Sequence, residues 1–163
     1  MTEAQILARQ LDKGRELTKW YLSLMKECDP YKTFELDGKR FNSVIWEIGH
    51  LAMSENFLAN YLTYGPATKE EWFKHFSMGG DNKVTEEYPD FKAVLNSFKQ
   101  IHTSTIAHIN FLSEEDLDKP TKKEFNVAGI VTVRDAIIHA IRHESIHTGH
   151  LGWLCKLHGV KSV

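Results

Sequence analysis

The chain has 163 residues, of which 42% are hydrophobic, and its formal net charge is -2. This length predicts one compact domain spanning residues 1–163. The small net charge, without a run of lysine or arginine, argues against nucleic acid or an anionic membrane as a partner. No stretch approaches about 20 apolar residues, and the polar start lacks the regions of a signal peptide, so we expect a cytoplasmic protein.

The first predicted helix runs from about Thr2 to Glu27. Thr2 and Gln5 have the spacing of a capping box, in which two residues of the first turn satisfy each other's backbone amides. Asp29-Pro30 ends the helix, because proline cannot continue it. Apolar residues at helical spacing predict its buried face: Ile6, Leu17, Trp20, Tyr21, Leu24 and Met25.

The second predicted helix begins near Asn42, where Phe41 and Trp46 are placed to form a hydrophobic staple. It ends before Gly65-Pro66, which are typical of a helix C-terminus. Five residues at helical spacing form its predicted inward face: Trp46, His50, Met53, Phe57 and Tyr61.

A long connection separates the second helix from the third. Residues 65–87 are too many for a tight turn, although residues 70–76 are expected to form a short helix, and this length permits a crossover. The third helix starts near Pro89, whose fixed φ suits a first helical turn. Its predicted core stripe contains Phe91, Val94, Leu95, Phe98, Ile101, Thr105, Ile109 and Leu112.

The fourth predicted helix follows an irregular stretch. Thr132 and Asp135 have the spacing of a second capping box, and the helix ends near Gly159. Four amphipathic helices of about 20 residues or more, without a convincing run of alternating strand residues, predict an all-α fold. An antiparallel four-helix bundle is the expected architecture.

Four histidines share one face of the fourth helix. At about 100° per residue, His139, His143, His147 and His150 lie within about 80° of one another. Their spread along the axis, at about 1.5 Å per residue, prevents one ion from binding all four. The candidate i,i+4 pairs are therefore His143 with His147 and His139 with His143. His139 and His150 are expected to line the pocket or to support the ligands.

A third imidazole has to come from another helix. His50 lies on the inward stripe of the second helix, among apolar residues. A lone buried histidine is more often a hydrogen-bonded core residue than a metal ligand. An inward-facing histidine pair on a neighbouring helix favours the interpretation of His50 as a metal ligand. His102 falls near the core stripe of the third helix and could reach the same cavity.

Residues 143–147 also match the HExxH pattern of zinc proteases, in which the glutamate is the general base. The metzincin continuation fails, since His150 and Trp153 stand where glycine and histidine would be. No set of strands is recognisable that would hold an extended peptide beside the helix. A protease is therefore disfavoured.

Residues 42–55, which read NSVIWEIGHLAMSE, and residues 132–136 leading into residues 143–151, which read HESIHTGHL, resemble the DinB/YfiT-like superfamily. The likeness spans essentially the whole chain. It implies a four-helix bundle of up-down-down-up topology, with the long crossover between the second and third helices. It also implies that His50, His143 and His147 hold a metal. Glu144 is then expected on the helix surface or beside a ligand.

The resemblance implies a chemistry as well. Several members are thiol-dependent transferases or isomerases that use bacillithiol or mycothiol. We therefore expect a divalent-metal-dependent enzyme, most readily a thiol-dependent S-transferase with zinc or nickel, a low-molecular-weight thiol such as bacillithiol and a small-molecule substrate. Where the family often has glutamine this chain has His150, so His150 and Trp46 are expected in the cavity wall.

Two alternatives stay open, and the sequence identifies no catalytic side chain. Three histidines leave open positions on an ion, where the reactive group would be a bound thiolate or a bound water. A metal-dependent hydrolase using a metal-bound hydroxide needs the same protein ligands. A non-catalytic stress protein that binds a metal or another ligand is the third candidate.

The crossover concentrates apolar side chains, namely Trp72, Phe73, Phe76 and Met78. A single bundle does not obviously bury them, and exposed apolar patches of this kind often mark an association surface. They predict a homodimer. The alternative is that the segment folds back as a lid over the end of the bundle.

Overall fold

The computed structural model describes residues 1–77, 79, 82–125 and 127–162. Helices dominate these residues, so the predicted all-α class is confirmed, with a small two-stranded sheet as an addition. The elements in chain order are α1 (Glu3–Leu24), β1 (Phe34–Leu36), β2 (Lys39–Phe41), α2 (Val44–Glu55), a π-helical segment (Asn56–Tyr61), a 3₁₀ helix (Glu71–Phe76), α3 (Phe91–Asn110), α4 (Glu114–Asp118) and α5 (Val133–Leu157).

The four long helices pack around a common interior. Helix α1 contacts α3 and α5, and α2 contacts the same two helices. The up-down-down-up order of the helices stays a prediction. In the described part of the chain, no helix is both long and apolar enough to cross a membrane.

Two apolar clusters fill the interior, one toward each end of the helices. The first includes Leu7, Leu11, Leu58, Ile109 and Ile137. The second includes Ile48, Phe98, Leu151 and Leu154. Between them, each long helix contributes buried polar residues: Arg15, Thr18, Glu55, His102, Thr105, Glu144 and Thr148. A polar layer therefore lies between the two apolar clusters, about halfway along the long helices.

Both predicted capping boxes are present. The Thr2 hydroxyl accepts from the Gln5 amide, and the Gln5 side chain accepts from the Thr2 amide. Thr132 and Asp135 make the same exchange at the start of α5. The ends of these helices follow from local sequence, because each cap satisfies amides that have no partner within the helix.

The predicted buried face of α1 was wrong at three positions. Ile6, Leu17 and Trp20 are 43%, 49% and 38% exposed. The buried residues of this helix are Ala4, Leu7, Ala8, Leu11, Arg15 and Thr18. The spacing of apolar residues predicted a different face of α1 from the one that is buried. Arg15 and Thr18 are buried because they contact polar side chains on other helices, and a pattern of apolar residues does not include them.

The hairpin of β1 and β2 was not predicted. Its two strands pair antiparallel, with Phe34 opposite Phe41. The turn residues Asp37 and Gly38 both have positive φ, at 49° and 72°. Asp-Gly is a strong signal for a two-residue hairpin turn, because both positions require this conformation. The hairpin ends at Phe41, so Asn42 follows it directly and lies just before α2.

The crossover folds back onto the bundle. The Phe76 ring occupies the space beside Gly49, where a Cβ atom would come within 2.7 Å of it. Phe76 is fully buried, whereas Trp72 and Phe73 are half-buried against the second apolar cluster. Met78, the fourth residue of the predicted association patch, lies outside the described residues. The homodimer stays a prediction.

Candidate metal centre

Three histidines meet at the edge of the polar layer. His50 comes from α2, and His143 and His147 come from successive turns of α5. The Nε2 atoms of His50 and His143 are 3.1 Å apart, and one ligand atom from each of the three rings lies within 4.8 Å of the others. The structure thus brings together the three residues that the sequence predicted as ligands, and the cluster could hold a metal ion.

His50 is fixed from two sides. Its Nδ1 lies 2.6 Å from the backbone oxygen of Phe76. A carbonyl only accepts, so Nδ1 carries the proton and donates it, leaving a lone pair on Nε2. The Trp46 ring stacks on His50 with centroids 4.7 Å apart. Trp46, predicted in the cavity wall, therefore lies behind this imidazole and holds its plane.

His147 is oriented by a carboxylate. Its Nδ1 donates to Oε2 of the buried Glu47 at 2.5 Å, and the Asn42 side-chain amide donates to the other Glu47 oxygen at 2.7 Å. Burial by itself raises the pKa of Glu47, but hydrogen bonds from His147, His150 and Asn42 outweigh it and hold that pKa at about 2. The ionised carboxylate keeps the proton on His147 Nδ1, which leaves Nε2 free to bind an ion.

Two of the imidazoles, those of His143 and His50, are held in their neutral form. Burial, together with the neighbouring rings of His147 and His50, lowers the pKa of His143 to about 3. Burial also lowers the pKa of His50. A metal binds the neutral imidazole, so at neutral pH these ligands need lose no proton to the solvent.

His150 lies on the outer side of Glu47. Its Nδ1 is hydrogen-bonded to Glu47 Oε2 at 3.4 Å, and this hydrogen bond raises the pKa of His150. The ring is exposed and lines a separate pocket of about 250 Å³, together with Phe41 and Trp153. Glu47, His147 and His150 form a second group of close ligand atoms that shares His147 with the first.

Glu144 is buried in the polar layer and does not lie on the helix surface. It is 2% exposed and receives two hydrogen bonds from Arg15, at 2.8 and 3.0 Å. Arg15 also donates to Glu55 at 2.5 Å, and Glu55 is within 2.9 Å of His102 Nδ1. The expected surface position of Glu144 was therefore wrong, and His102 belongs to this ion network in the polar layer. With both oxygens bound by Arg15, Glu144 is not placed to act as a base.

A cavity of about 710 Å³ opens beside the histidine cluster. His143 and His139 form part of its wall, which agrees with the expectation that His139 lines a pocket. Met53, Phe57 and Phe125 supply apolar surface. A site of this size can admit a small molecule next to His143.

A sequence model of the DinB superfamily matches residues 4–151. The chain belongs to the DinB superfamily. No curated protein matches the sequence. The crystal structure of a conserved protein from Enterococcus faecalis superposes with a TM-score of 0.69 over 97% of this chain and 98% of that one, at 16% sequence identity. A likeness at this identity shows the shared fold alone.

Two groups that orient the histidines of this DinB superfamily protein were not predicted. The Phe76 carbonyl is contributed by the crossover, 26 residues after His50, and nothing in the local sequence indicates that contact. The position of Glu47, by contrast, can be inferred from the sequence. It precedes His50 by three residues, so the two share a face of α2, and a carboxylate beside a predicted ligand is a common partner for a second histidine.

Proposed function

We propose that His50, His143 and His147 bind one divalent ion, zinc or nickel, and that the protein is a thiol-dependent S-transferase acting on a small electrophile. The observation that carries the proposal is the convergence of three imidazoles, two of which have Nδ1 already occupied. Within the described ranges, this group contains no fourth protein ligand. A three-histidine site with open positions is typical of catalytic centres.

The residues present fit such an ion. His50 has its proton on Nδ1, so the 3.1 Å contact between the two Nε2 atoms requires His143 to donate its own proton to His50. When the proton of His143 is carried on Nδ1 instead of Nε2, all three rings offer an Nε2 lone pair to a divalent cation. Imidazole ligands suit both zinc and nickel, and cellular supply decides between them.

When bound, the ion would lower the pKa of a thiol ligand and favour its thiolate. Glu47 holds the proton on His147 Nδ1 and so keeps that ring in its ligating form. In the transfer, the sulfur forms a bond to the electrophilic carbon, the leaving group departs with the electron pair of the broken bond, and the thiol proton passes to solvent. The apolar wall at Met53 and Phe57 accommodates the electrophile beside His143.

The thiol requirement tests this function directly. Zinc- or nickel-loaded protein is mixed with monobromobimane or 1-chloro-2,4-dinitrobenzene, together with bacillithiol, glutathione or cysteine. We expect turnover that needs both the metal and a thiol and that is lost in His143→Ala. The matched control is His158→Ala, whose ring packs on Phe34 away from the cluster.

Two other outcomes reject the transferase. Hydrolysis of nitrophenyl esters without thiol would indicate a metal-dependent hydrolase. Stoichiometric metal binding without turnover of either substrate class would indicate a non-catalytic binding protein. We place the transfer reaction in the cytoplasm, because low-molecular-weight thiols are kept reduced there.

A further inference from the structure

The cavity beside His143 follows α2 into the π-helical segment. Ser54 lines it at the end nearest the histidines, where its hydroxyl is 3.4 Å from His50 Nε2, and Tyr61 lines it farther along. Because a helix advances about 1.5 Å per residue, Ser54 and Tyr61 are separated by about 10 Å along the axis. The cavity is therefore longer than the reacting group of a small electrophile requires.

Aromatic side chains line much of this length. The rings of Phe57 and Phe125 meet edge to face with centroids 5.1 Å apart, and Phe57 stacks on Tyr61 at 5.8 Å. Phe73 of the 3₁₀ helix contributes to the same wall. Flat apolar walls favour a ligand with an apolar body, preferably one carrying an aromatic ring.

Three lysines also line the cavity and form what we call its positive rim, namely Lys69, Lys122 and Lys123. The Lys122 ammonium is 4.9 Å from the centre of the Tyr61 ring, so positive charge is placed at the end of the cavity farthest from His50. No aspartate or glutamate is present among the described lining residues. The charge of this rim is therefore positive, which attracts an anionic group.

The segments that carry the lysines are anchored to the π-helical segment. The buried Asn56 amide donates to the Thr68 carbonyl at 3.0 Å and accepts from the Thr68 amide at 2.9 Å, which fixes the chain next to Lys69. At the other end, the Lys122 backbone amide donates to the Leu62 carbonyl at 2.9 Å. The positive rim is held in place by buried or backbone hydrogen bonds on both sides.

We propose that this cavity binds an elongated organic anion with an apolar, aromatic body. Its carboxylate lies at the end of the cavity where Lys122 sits over Tyr61, with Lys69 and Lys123 adding positive charge to the wall, and its other end reaches His143. Naming this ligand as the electrophilic substrate rests on the transfer reaction proposed above, whereas its binding does not. The charge separates this class from neutral aromatic compounds, and the length separates it from small carboxylates.

Isothermal titration of the metal-free protein with 6-phenylhexanoate and with 6-phenylhexanamide tests the proposal. The two probes share their apolar body and differ in charge. We expect the carboxylate to bind about fivefold more tightly at low ionic strength, the effect of one or two partly exposed ion pairs. Added salt should reduce the difference, since it screens exposed charges.

Variants locate the charge effect. The triple variant Lys69→Gln, Lys122→Gln, Lys123→Gln should bind both probes equally, with the amide affinity unchanged. Lys19→Gln, at an exposed position on α1, should keep the fivefold preference. All three cavity lysines are exposed, so the triple variant is expected to fold, and its circular dichroism spectrum checks this.

Either of two results overturns the inference, namely equal affinity of the wild type for the two probes or a preference that survives in the triple variant. Every titration uses metal-free protein, so the probe affinities do not depend on metal binding. Failure of the three histidines to bind zinc or nickel would therefore reject the proposed transferase without changing the measured affinities for the two probes.

Discussion

Glu47 on α2 accepts a hydrogen bond at 2.5 Å from Nδ1 of His147 on α5, 100 residues later in the chain. The contact joins two helices and fixes the tautomer of a candidate ligand at the same time. A buried carboxylate that orients an imidazole also makes the imidazole a better donor to a metal.

Replacing Glu47 by glutamine should weaken metal binding. The side chain keeps its size but loses its charge, so it no longer stabilises the proton on His147 Nδ1. Loss of such a partner typically costs about 10- to 100-fold in metal affinity. Competition titration with a zinc-binding dye measures the change. Glu27→Gln, at an exposed position just after α1, is the matched control, and an unchanged affinity in Glu47→Gln would contradict the orienting role.

Alanine at His50, His143 or His147 should sharply reduce the zinc that co-purifies with the folded protein. Each change removes one of three ligands, whereas His158→Ala removes an imidazole from another part of the fold. Elemental analysis of folded samples gives the stoichiometry. If His50→Ala keeps the wild-type metal content, the ligand assignment must shift to another histidine, with His139 as the first to examine.

Two glycine-to-alanine substitutions distinguish the effect of close packing on stability from the effect of helix propensity. Gly49→Ala places a Cβ within 2.7 Å of the Phe76 ring, so it should destabilise the protein by about 1–3 kcal/mol and loosen the Phe76 carbonyl from His50. Gly149→Ala in α5 meets nothing within 4 Å and should stabilise the helix by about 0.5–1 kcal/mol. Urea unfolding compares the two, and equal effects would contradict the packing argument.

Arg15→Met should be strongly destabilising. The arginine is 1% exposed and bonds the carboxylates of Glu55 and Glu144, which would be left buried without their cation. Breaking a buried ion pair in this way costs about 3–5 kcal/mol. Arg9→Met, at an exposed position on the same helix, is the control for the loss of a charge. A loss below about 0.5 kcal/mol in Arg15→Met, within the range of surface substitutions, would show that the network contributes little.

The same network predicts an acid dependence of stability. Burial favours the neutral form of Glu55, but the charge of Arg15 and the hydrogen bond from His102 outweigh it and hold the pKa of Glu55 below its usual 4.5. The stabilisation from the ionised carboxylate is therefore complete above pH 4.5 and is lost as the pH falls through the lowered pKa of the folded state. Urea unfolding from pH 7 to pH 3 should show the stability gap between the wild type and Glu55→Gln narrowing below pH 4.5. A constant gap would contradict this.

Local patterns predicted most of the helices, because their signals are contained within a few residues. The caps at Thr2 and Thr132 and the core stripe of α3 depend only on neighbours one or two turns away. The buried face of α1 depends on Glu55 and Glu144, which lie on other helices. No periodicity in α1 could reveal those partners, and the pattern failed at that point.

The candidate site divides in the same way. His143 and His147 are one turn apart on one helix, so their shared face follows from spacing. His50 follows from its place on the inward stripe of the second helix, and the resemblance to a known superfamily implies the same three residues. The Phe76 carbonyl and the three lysines of the cavity reach the site through tertiary contacts. Their sequence neighbourhoods contain no pattern that would have placed them there.

The π-helical turn at Asn56–Tyr61 is equivalent to one residue inserted into an otherwise α-helical stretch. Removing one residue there would restore the ordinary hydrogen-bond ladder and keep the helical stretches on both sides nearly in place, while changing which side chains of the turn face the cavity. His50 and its partners precede the turn, while Asn56, Phe57 and Tyr61 lie within it. A single-codon deletion would therefore reshape the cavity lined by Phe57 and Tyr61 and leave the histidine cluster in place.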